Sequence, residues 1–311
     1  MESLKVAVVG AGTMGHGIAQ VFAQAGCLVK LIDVNEQVLK EAFTRIKANL
    51  EFFVEANVLS LQDSVDALAR IEASTDIEGG VGDAEFVTEA VPEEIKLKQQ
   101  IFRKMDRDTS SHTILASNTS GLSVSEIASA TEHPERVIGT NWWNPPQLIP
   151  LVEMMKGEKT SEETVQRTKE VLVKVGKMPI LILKPVPGFV GNRLQIALFR
   201  EALSLLENGV ASAEDIDTAM SYGPGFRYPV LGPFRVADFG GLDVFYHLIG
   251  DLYKDLDCSK EPQKVLAKLV KEGKLGLKSG RGFYTYGDKS VNEVLRSRDR
   301  KLLGILKTVL K

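Results

Sequence analysis

The hydrophobic positions at the start of the chain form two short unbroken runs with a helix-like segment between them. Residues 5–10 and 27–33 are almost wholly apolar, whereas the apolar residues of 14–25 recur three or four positions apart. A run without alternation is typical of a strand that a parallel sheet buries on both faces. The pattern therefore predicts a strand–helix–strand unit.

The same alternation continues along the next part of the chain. Helical spacing predicts helices over residues 36–53 and 61–68, and short apolar runs predict strands over residues 84–90, 113–117, 136–140 and 178–183. Strands that alternate with helices in this way form a sheet covered by helices on both faces. We therefore expect an α/β fold whose core is a Rossmann-type, doubly wound parallel sheet.

The pattern changes at residues 184–188, where two prolines and a glycine discourage regular structure. Beyond this stretch the apolar spacing is helical, over residues 192–208, 212–222, 242–256, 261–272 and, as an amphipathic or partly frayed helix, 289–311. We therefore predict two domains, a Rossmann domain over 1–185 and a smaller all-α domain over 186–311.

Composition and charge narrow the class of protein. The 311 residues carry a net charge of −3, which gives no broad attraction for nucleic acid or anionic membranes. No apolar run is long enough to span a membrane, and because the chain enters its first strand within a few residues, we expect no signal peptide. The two cysteines, Cys27 and Cys258, have no metal-ligand spacing and form no disulfide framework. We expect a cytoplasmic protein that binds small molecules and no metal.

A glycine-rich turn joins the first strand to the first helix. Residues 10–15 read Gly-Ala-Gly-Thr-Met-Gly, which fits the dinucleotide fingerprint in its required context of strand, turn and helix. Gly10 permits the tight turn, Gly12 lets the backbone approach a pyrophosphate, and Gly15 lets the helix pack closely on the strand. The turn therefore predicts a dinucleotide site at the N-terminus of the first helix.

An acidic residue ends the second strand, about twenty residues beyond the glycines. Asp33 stands at this position. A carboxylate here accepts hydrogen bonds from the adenosine ribose hydroxyls and repels a 2′-phosphate, which favours NAD over NADP. His16 lies in the same turn, where we interpret it as a polar residue at a helix start rather than as a catalytic base.

Several separate stretches together resemble the L-3-hydroxyacyl-CoA dehydrogenase family. The family includes a branch that contains lambda-crystallin and the dehydrogenases of carnitine and pyridine carboxylates. Besides the glycine turn, these stretches are residues 89–93 (Glu-Ala-Val-Pro-Glu), 117–120 (Ser-Asn-Thr-Ser), 142–146 (Trp-Trp-Asn-Pro-Pro), 150–153 (Pro-Leu-Val-Glu), 187–193 (Pro-Gly-Phe-Val-Gly-Asn-Arg), 232–234 (Gly-Pro-Phe) and 278–284 (Lys-Ser-Gly-Arg-Gly-Phe-Tyr). The resemblance covers nearly the whole chain. It implies an NAD-dependent oxidoreductase of fatty acid metabolism that forms a homodimer.

The resemblance also assigns roles to individual residues. It implies that Glu153 orients the catalytic base, that Asn192 is a catalytic-site amide, and that Ser120 contacts both substrate and nicotinamide. Added to the glycines and Asp33, the implied NAD contacts are Thr13, Met14, Glu93, Lys98, Ser120, Asn144 and Lys278. From its spacing alone, Lys98 is equally consistent with an ordinary charge on a helix surface.

The sequence departs from the family at the position of its catalytic histidine, where this chain has Asn141. An amide does not accept a proton at neutral pH, although it still forms hydrogen bonds. Losing a general base typically slows a reaction by a factor of about 10²–10⁴. We therefore expect an enzyme of reduced activity. Asn141 is either a natural difference or an introduced substitution that replaces the histidine.

Three interpretations of function follow. The first is oxidation of the 3-hydroxyl group of a 3-hydroxyacyl-CoA or related 3-hydroxy acid. The second is oxidation of a hydroxy-carboxylate that lacks coenzyme A, because Arg227 in the second domain is suited to bind a carboxylate with two hydrogen bonds. A surface ion pair is an equally good interpretation of Arg227. The third is an NAD-binding protein without catalytic activity, which Asn141 would explain.

Overall fold

The structure is a computed structural model that describes residues 3–309. It divides into two compact units, one ending at Val190 and the other beginning at Gly191. The domain boundary that the sequence predicts, after residue 185, lies a few residues before this division. Residues 310 and 311 of the predicted C-terminal helix lie outside the described residues.

The described part of the first unit contains one sheet of eight strands in the order β3-β2-β1-β4-β5-β6-β7-β8. The strands are β1 (Lys5–Val9), β2 (Leu28–Ile32), β3 (Ile71–Ser74), β4 (Phe86–Glu89), β5 (Ile114–Asn118), β6 (Val137–Trp142), β7 (Leu151–Lys156) and β8 (Met178–Ile182). The Rossmann-type fold is therefore confirmed. The apolar runs form β1, β2, β4, β5, β6 and β8 close to where the pattern places them.

One pair of strands departs from the purely parallel sheet that we expected. β6 and β7 are antiparallel, whereas every other neighbouring pair in the sheet is parallel. The sequence pattern did not predict β7, whose six residues include a glutamate and a lysine. The connection from β6 to β7 is short, so the chain returns beside β6 in the opposite direction. In this pair Asn141 lies directly opposite Glu153.

Between residues 3 and 190, seven α-helices cover the two faces of the sheet. They are α1 (Gly15–Gln24), α2 (Glu36–Glu55), α3 (Leu61–Ala69), α4 (Ile77–Val81), α5 (Ile95–Asp108), α6 (Val124–Ala128) and α7 (Glu162–Lys174). Short polar side chains cap most of their N-termini, as at Asn35, Ser60 and Ser161. Two hydrophobic clusters form the core, one containing Phe22 and Trp142 and the other containing Phe102 and Met105.

The second unit is helical throughout its described length, apart from a short 3-10 turn and loops. Its helices are α8 (Gly191–Glu207), α9 (Ala213–Tyr222), α10 (Pro224–Arg227), α11 (Pro233–Gly240), α12 (Leu242–Leu252), α13 (Lys264–Lys271) and α14 (Val291–Val309). This confirms the predicted all-α domain. None of the helices among residues 3–309 is both long and apolar enough to cross a membrane.

Candidate active site

The order of the strands places a crevice beside the glycine turn. The chain passes from β1 to β2 on one side and returns to β4 on the other, so β1 and β4 form the switch point of the sheet. Ligands of doubly wound sheets bind at the carboxyl ends of the strands flanking this point. The turn at residues 10–15 and the segment at residues 90–94 follow those two strands.

The three fingerprint glycines meet three different steric demands. Gly10 has a φ of 100°, and a Cβ there would lie 2.7 Å from the carbonyl oxygen of Ala90. A Cβ at Gly15 would overlap the carbonyl oxygen of Gly10. At Gly12, by contrast, a Cβ would meet nothing within 4 Å, so this backbone faces open space. The turn therefore fits a pyrophosphate that approaches the main chain at Gly12. The neighbouring Thr13 is exposed, and Met14 immediately precedes α1.

Asp33 connects the second strand to this turn. One of its carboxylate oxygens accepts a hydrogen bond from the Ala11 amide at 2.9 Å, and the other accepts one from the Asn35 amide at 3.1 Å. These bonds fix the carboxylate at the carboxyl end of β2, where a ribose would lie. Together with the open space at Gly12, this position fits the adenosine half of NAD.

Three polar side chains form a hydrogen-bonded chain on the neighbouring strands. The Ser120 hydroxyl donates to Oδ1 of Asn141 at 3.1 Å, and Nδ2 of Asn141 donates to Oε2 of Glu153 at 2.8 Å. A carboxylate only accepts hydrogen bonds, which requires the amide nitrogen to face Glu153 and its oxygen to face Ser120. Asn141 and Glu153 are both buried. The structure thus brings three of the four expected catalytic residues together.

Two further groups that the sequence analysis missed hold Glu153. The indole nitrogen of Trp143 donates to Oε2 at 3.2 Å, and the Val190 amide donates to Oε1 at 3.0 Å. Glu153 has no exposed surface, so these donors compensate for water that the carboxylate has lost. The sequence carries a signal for Trp143, an aromatic residue with a polar tip next to a buried strand.

Glu93 organises the backbone before α6. It accepts hydrogen bonds from the Thr119 hydroxyl at 2.5 Å, the Ser120 amide at 2.9 Å and the Gly121 amide at 3.2 Å. Partial burial acts to raise the pKa of Glu93, but the Thr119 hydroxyl, the charge of Lys98 and the Ser120 amide together hold it below its usual value. Glu93 is therefore an anion at neutral pH that fixes the backbone of Ser120.

Lys98 does not lie on an exposed helix face. Its side chain has no exposed surface, and its ammonium lies 2.7 Å from Oε1 of Glu89, which is also fully buried. Burial raises the pKa of Glu89, although the charge of Lys98 and a hydrogen bond from Ser117 act in the opposite direction. Only rearrangement of this pair would bring the ammonium to a bound ligand. The family resemblance predicts a role for Lys98 but none for Glu89.

The turn between β6 and β7 carries Asn144, the predicted nicotinamide contact, which is exposed. A buried lysine holds this turn. Nζ of Lys177 donates to the carbonyl oxygens of Pro146 at 2.6 Å and Ile149 at 2.9 Å. Burial lowers the pKa of Lys177 to about 8. The turn also contacts α1, since a Cβ at Gly17 would lie 2.6 Å from Pro146. These contacts fix Asn144 relative to the glycine turn.

His16 faces the backbone of the glycine turn. Its Nδ1 lies 2.8 Å from the carbonyl oxygen of Gly12, and because a carbonyl only accepts, Nδ1 carries the proton. Burial lowers the pKa of His16, so the ring is neutral at pH 7. The side chain supports the turn, as expected for a polar residue at a helix start.

The remaining predicted residues belong to the helical unit. Asn192 lies in the first turn of α8 and is partly exposed. Arg227 is the last residue of α10, and it is exposed with no carboxylate of the described chain within salt-bridge distance. Lys278 is exposed in a short 3-10 turn over Leu277–Ser279.

Comparisons with known proteins match both units of the chain. The family model described as the NAD-binding domain of 3-hydroxyacyl-CoA dehydrogenase matches residues 5–186, and the model of its C-terminal domain matches residues 188–286. The probable 3-hydroxybutyryl-CoA dehydrogenase of Bacillus subtilis is 40% identical over 291 residues, covering 93% of this chain and 100% of the relative.

Two of the solved structures that the chain resembles cover most or nearly all of it. The first is 5-formyl-3-hydroxy-2-methylpyridine 4-carboxylic acid 5-dehydrogenase, described as an NAD⁺-dependent dismutase, with a TM-score of 0.88, 32% identity and 99% coverage of both chains. The second is (S)-3-hydroxybutyryl-CoA dehydrogenase from Ralstonia eutropha, with a TM-score of 0.74, 34% identity, and coverage of 92% of this chain and 100% of the other.

Proposed function

Because the chain belongs to the 3-hydroxyacyl-CoA dehydrogenase family, whose members are NAD-dependent oxidoreductases, we propose that it oxidises the 3-hydroxyl group of a 3-hydroxyacyl-CoA or related 3-hydroxy acid. NAD, when bound, accepts the hydride. The open backbone at Gly12 and the fixed carboxylate of Asp33 support binding of its pyrophosphate and ribose.

The hydrogen-bonded chain of Ser120, Asn141 and Glu153 carries this proposal. The Ser120 hydroxyl lies beside the position where the family's base would stand, and its lone pairs can accept a hydrogen bond from a substrate hydroxyl. Asn141 orients Ser120 and neutralises none of the Glu153 charge. Because an amide does not accept a proton at neutral pH, the substrate's hydroxyl proton leaves to water or hydroxide, and we expect slow turnover.

The decisive experiment replaces Asn141 with histidine. Asn141→His supplies a base that Glu153 can orient, and we expect NAD reduction with a 3-hydroxy substrate to rise by at least about 10²-fold. The measurement is NADH absorbance across a panel of 3-hydroxyacyl-CoAs and free 3-hydroxy acids. Asn141→Gln is the matched control, because it retains an amide without basicity and should give no gain.

Absence of any gain over the whole panel would reject the lost-base explanation. If the Asn141→His protein then still binds NADH, the third interpretation, an NAD-binding protein without catalytic activity, becomes the better one. The proposal holds equally for a native asparagine and for an introduced substitution, because it concerns only the chemistry of the side chain.

A free hydroxy-carboxylate is the second candidate substrate. Arg227 is exposed and pairs with no carboxylate among the described residues, and the chain has a higher TM-score with the pyridine-carboxylate enzyme than with the CoA enzyme. A guanidinium binds a carboxylate with two parallel hydrogen bonds. These observations favour an acid without coenzyme A.

Arg227→Ala tests this candidate. Loss of a charged hydrogen-bonding partner should weaken binding of the free acid by about 1.5–3 kcal/mol, or roughly 10- to 150-fold. Titration calorimetry with each class of substrate measures it, and Arg235→Ala serves as a control because Arg235 is another exposed arginine of the same unit. Unchanged affinity for every free acid would refute the carboxylate role.

We also propose that the chain forms a homodimer through its helical unit. Large apolar side chains are exposed along this unit, including Phe226, Phe234, Phe239 and Tyr246. A surface this apolar is unusual for a monomer and is typical of a protein–protein interface. The cytoplasmic location expected from the sequence stays a prediction.

A further inference from the structure

A buried ion pair lies immediately behind the Ser120 site. Glu89 is the last residue of β4, and Lys98 lies in the first part of α5. The carboxylate of Glu89 accepts hydrogen bonds from Lys98 at 2.7 Å, from the Val91 amide at 2.7 Å and from the Ser117 hydroxyl at 2.7 Å. Both side chains of the pair have no exposed surface.

Lys98 extends the contacts of this pair toward the catalytic strands. Its ammonium donates to the carbonyl oxygen of Asn118 at 3.0 Å and lies 3.4 Å from Oε2 of Glu93. The side chain of Asn118 in turn accepts a hydrogen bond from the Trp142 amide at 3.1 Å. We call the backbone segment 118–121 the Ser120 loop. Lys98 contacts one end of this loop directly, at Asn118, and it also contacts Glu93, which accepts the amides at the other end.

Glu93 completes the support of the Ser120 loop, because its Oε1 accepts the amides of Ser120 and Gly121. Its other oxygen faces Lys98. The position of the Glu93 carboxylate thus depends on the Lys98 ammonium. The position of that ammonium in turn depends on Glu89, the carboxylate nearest to it.

We propose that Glu89 is a positioning residue of the active site: through Lys98 and Glu93 it holds the Ser120 loop so that the Ser120 hydroxyl reaches Asn141. The proposal rests on the function proposed for Ser120. Glu89 touches neither substrate nor cofactor in this arrangement. Its side chain acts because a buried ammonium that lacks a paired carboxylate moves toward another acceptor or toward water.

Glu89→Gln is the direct test, because the amide keeps the size of the side chain and removes its charge. We expect the Ser120 and Gly121 amides to exchange about tenfold faster with deuterium, because the Ser120 loop loses stabilisation equivalent to about one hydrogen bond. We expect the Kd for NADH to rise about tenfold for the same reason. Mass spectrometry of peptides covering residues 117–122 measures the exchange, and fluorescence titration measures NADH binding.

The same helix supplies a matched control. Asp106, in the last turn of α5, forms a second buried ion pair with Arg136 at 2.7 Å, and it also accepts the Glu132 and His133 amides. Arg136 immediately precedes β6, so this pair lies at the amino end of a strand, whereas Glu89 lies at the carboxyl end of β4. Asp106→Asn should lower the thermal midpoint, as Glu89→Gln does, but speed exchange in peptides covering residues 131–137 and leave NADH affinity unchanged.

The comparison of the two variants decides the outcome. The proposal is overturned if Glu89→Gln speeds exchange at 117–122 and weakens NADH binding no more than Asp106→Asn does. If Glu89→Gln does not fold, Glu89→Gln with Lys98→Met replaces it, because neither side chain then carries a charge. Neither readout requires turnover, so a failure of Asn141→His leaves this test intact.

Discussion

The two units of the molecule differ in how much of their own surface they bury. In the α/β unit, two hydrophobic clusters contain fully buried aromatic residues such as Phe22, Phe86 and Phe102. In residues 191–308, the buried side chains are Leu203, Gln263 and Leu303. The α/β unit thus has a complete core, whereas the helical unit leaves apolar surface that a further partner can cover.

The units differ in the same way in their charged groups. The α/β unit buries Glu89, Lys98, Glu153 and Lys177, each with hydrogen-bonding partners. No charged side chain is buried among residues 191–308. Burying a charge costs solvation free energy, which fixed hydrogen-bonding partners offset. A large, rigid core holds such partners in place. The buried, preorganised polar groups therefore lie in the first unit.

The largest expected effect tests the difference in cores. Phe102→Ala should lower the free energy of unfolding by about 3–5 kcal/mol, because it leaves a cavity in a closed core. Phe234→Ala, at a side chain that is 86% exposed, should change it by less than about 0.5 kcal/mol when the protein is dilute enough to be monomeric. Urea unfolding followed by tryptophan fluorescence reports the α/β unit, since both tryptophans lie there, and circular dichroism reports the helices.

A loss of several kcal/mol for Phe234→Ala at that dilution would break the comparison, because the ring would then be covered within one chain rather than by a second copy. Repeating the urea series over a range of protein concentrations separates the two cases, since stability that comes from association depends on concentration.

The second effect is a dependence of the free energy of unfolding on pH, with opposite signs in the two units. Burial lowers the pKa of Lys177 from 10.5 to about 8, so between those values the unfolded chain binds more protons and stability rises with pH. The full gain is about 3 kcal/mol, and it should vanish in Lys177→Met. A hydrogen bond to Asp217 raises the pKa of Tyr284 from 10.0 to about 12, so its contribution is lost as pH rises through that window.

Unfolding measured from pH 7 to 11 by both probes checks this prediction. Tyr284→Phe is the control for the helical unit, and it should remove the decline at high pH. Equal slopes for the parent and Lys177→Met proteins below pH 10 would contradict the assignment of the rise to Lys177.

The smallest of the three effects concerns the uncovered surface of the helical unit. Leu198 lines an apolar groove of about 660 Å³ between α8 and α9. If a second copy covers this unit, Leu198→Asp should weaken dimerisation by about 2 kcal/mol, or roughly 30-fold in Kd. Sedimentation velocity measures it, with Val173→Asp on the exposed face of α7 as the control. A parent chain that stays monomeric at every concentration would refute the homodimer.

Much of the α/β unit could be predicted from its sequence because burial on both faces of a sheet leaves a clear apolar run. The pattern located β1, β2 and β4 to within a few residues, and the glycine turn and Asp33 followed from their places after strands. The family resemblance then supplied Ser120, Asn141 and Glu153, which the structure brings within hydrogen-bonding distance of one another.

The missed features depend on contacts that are distant in sequence. β3 is an edge strand with two exposed residues, so it lacks an apolar run, and β7 contains Glu153, whose burial only its partners explain. Lys98 shows helical spacing typical of a surface charge, and only the position of Glu89 on β4 explains its burial. Lys177 is similar, because its acceptors are carbonyl oxygens that no sequence pattern reveals.

The antiparallel pairing of β6 with β7 has an evolutionary consequence. The main chain sets residues 141 and 153 opposite each other, and these backbone bonds do not depend on which side chains stand there. Asparagine and histidine codons differ by a single base. A lineage that keeps this sheet can therefore lose a proton acceptor at position 141 and regain it by one mutation, without rebuilding the surroundings in which that acceptor works.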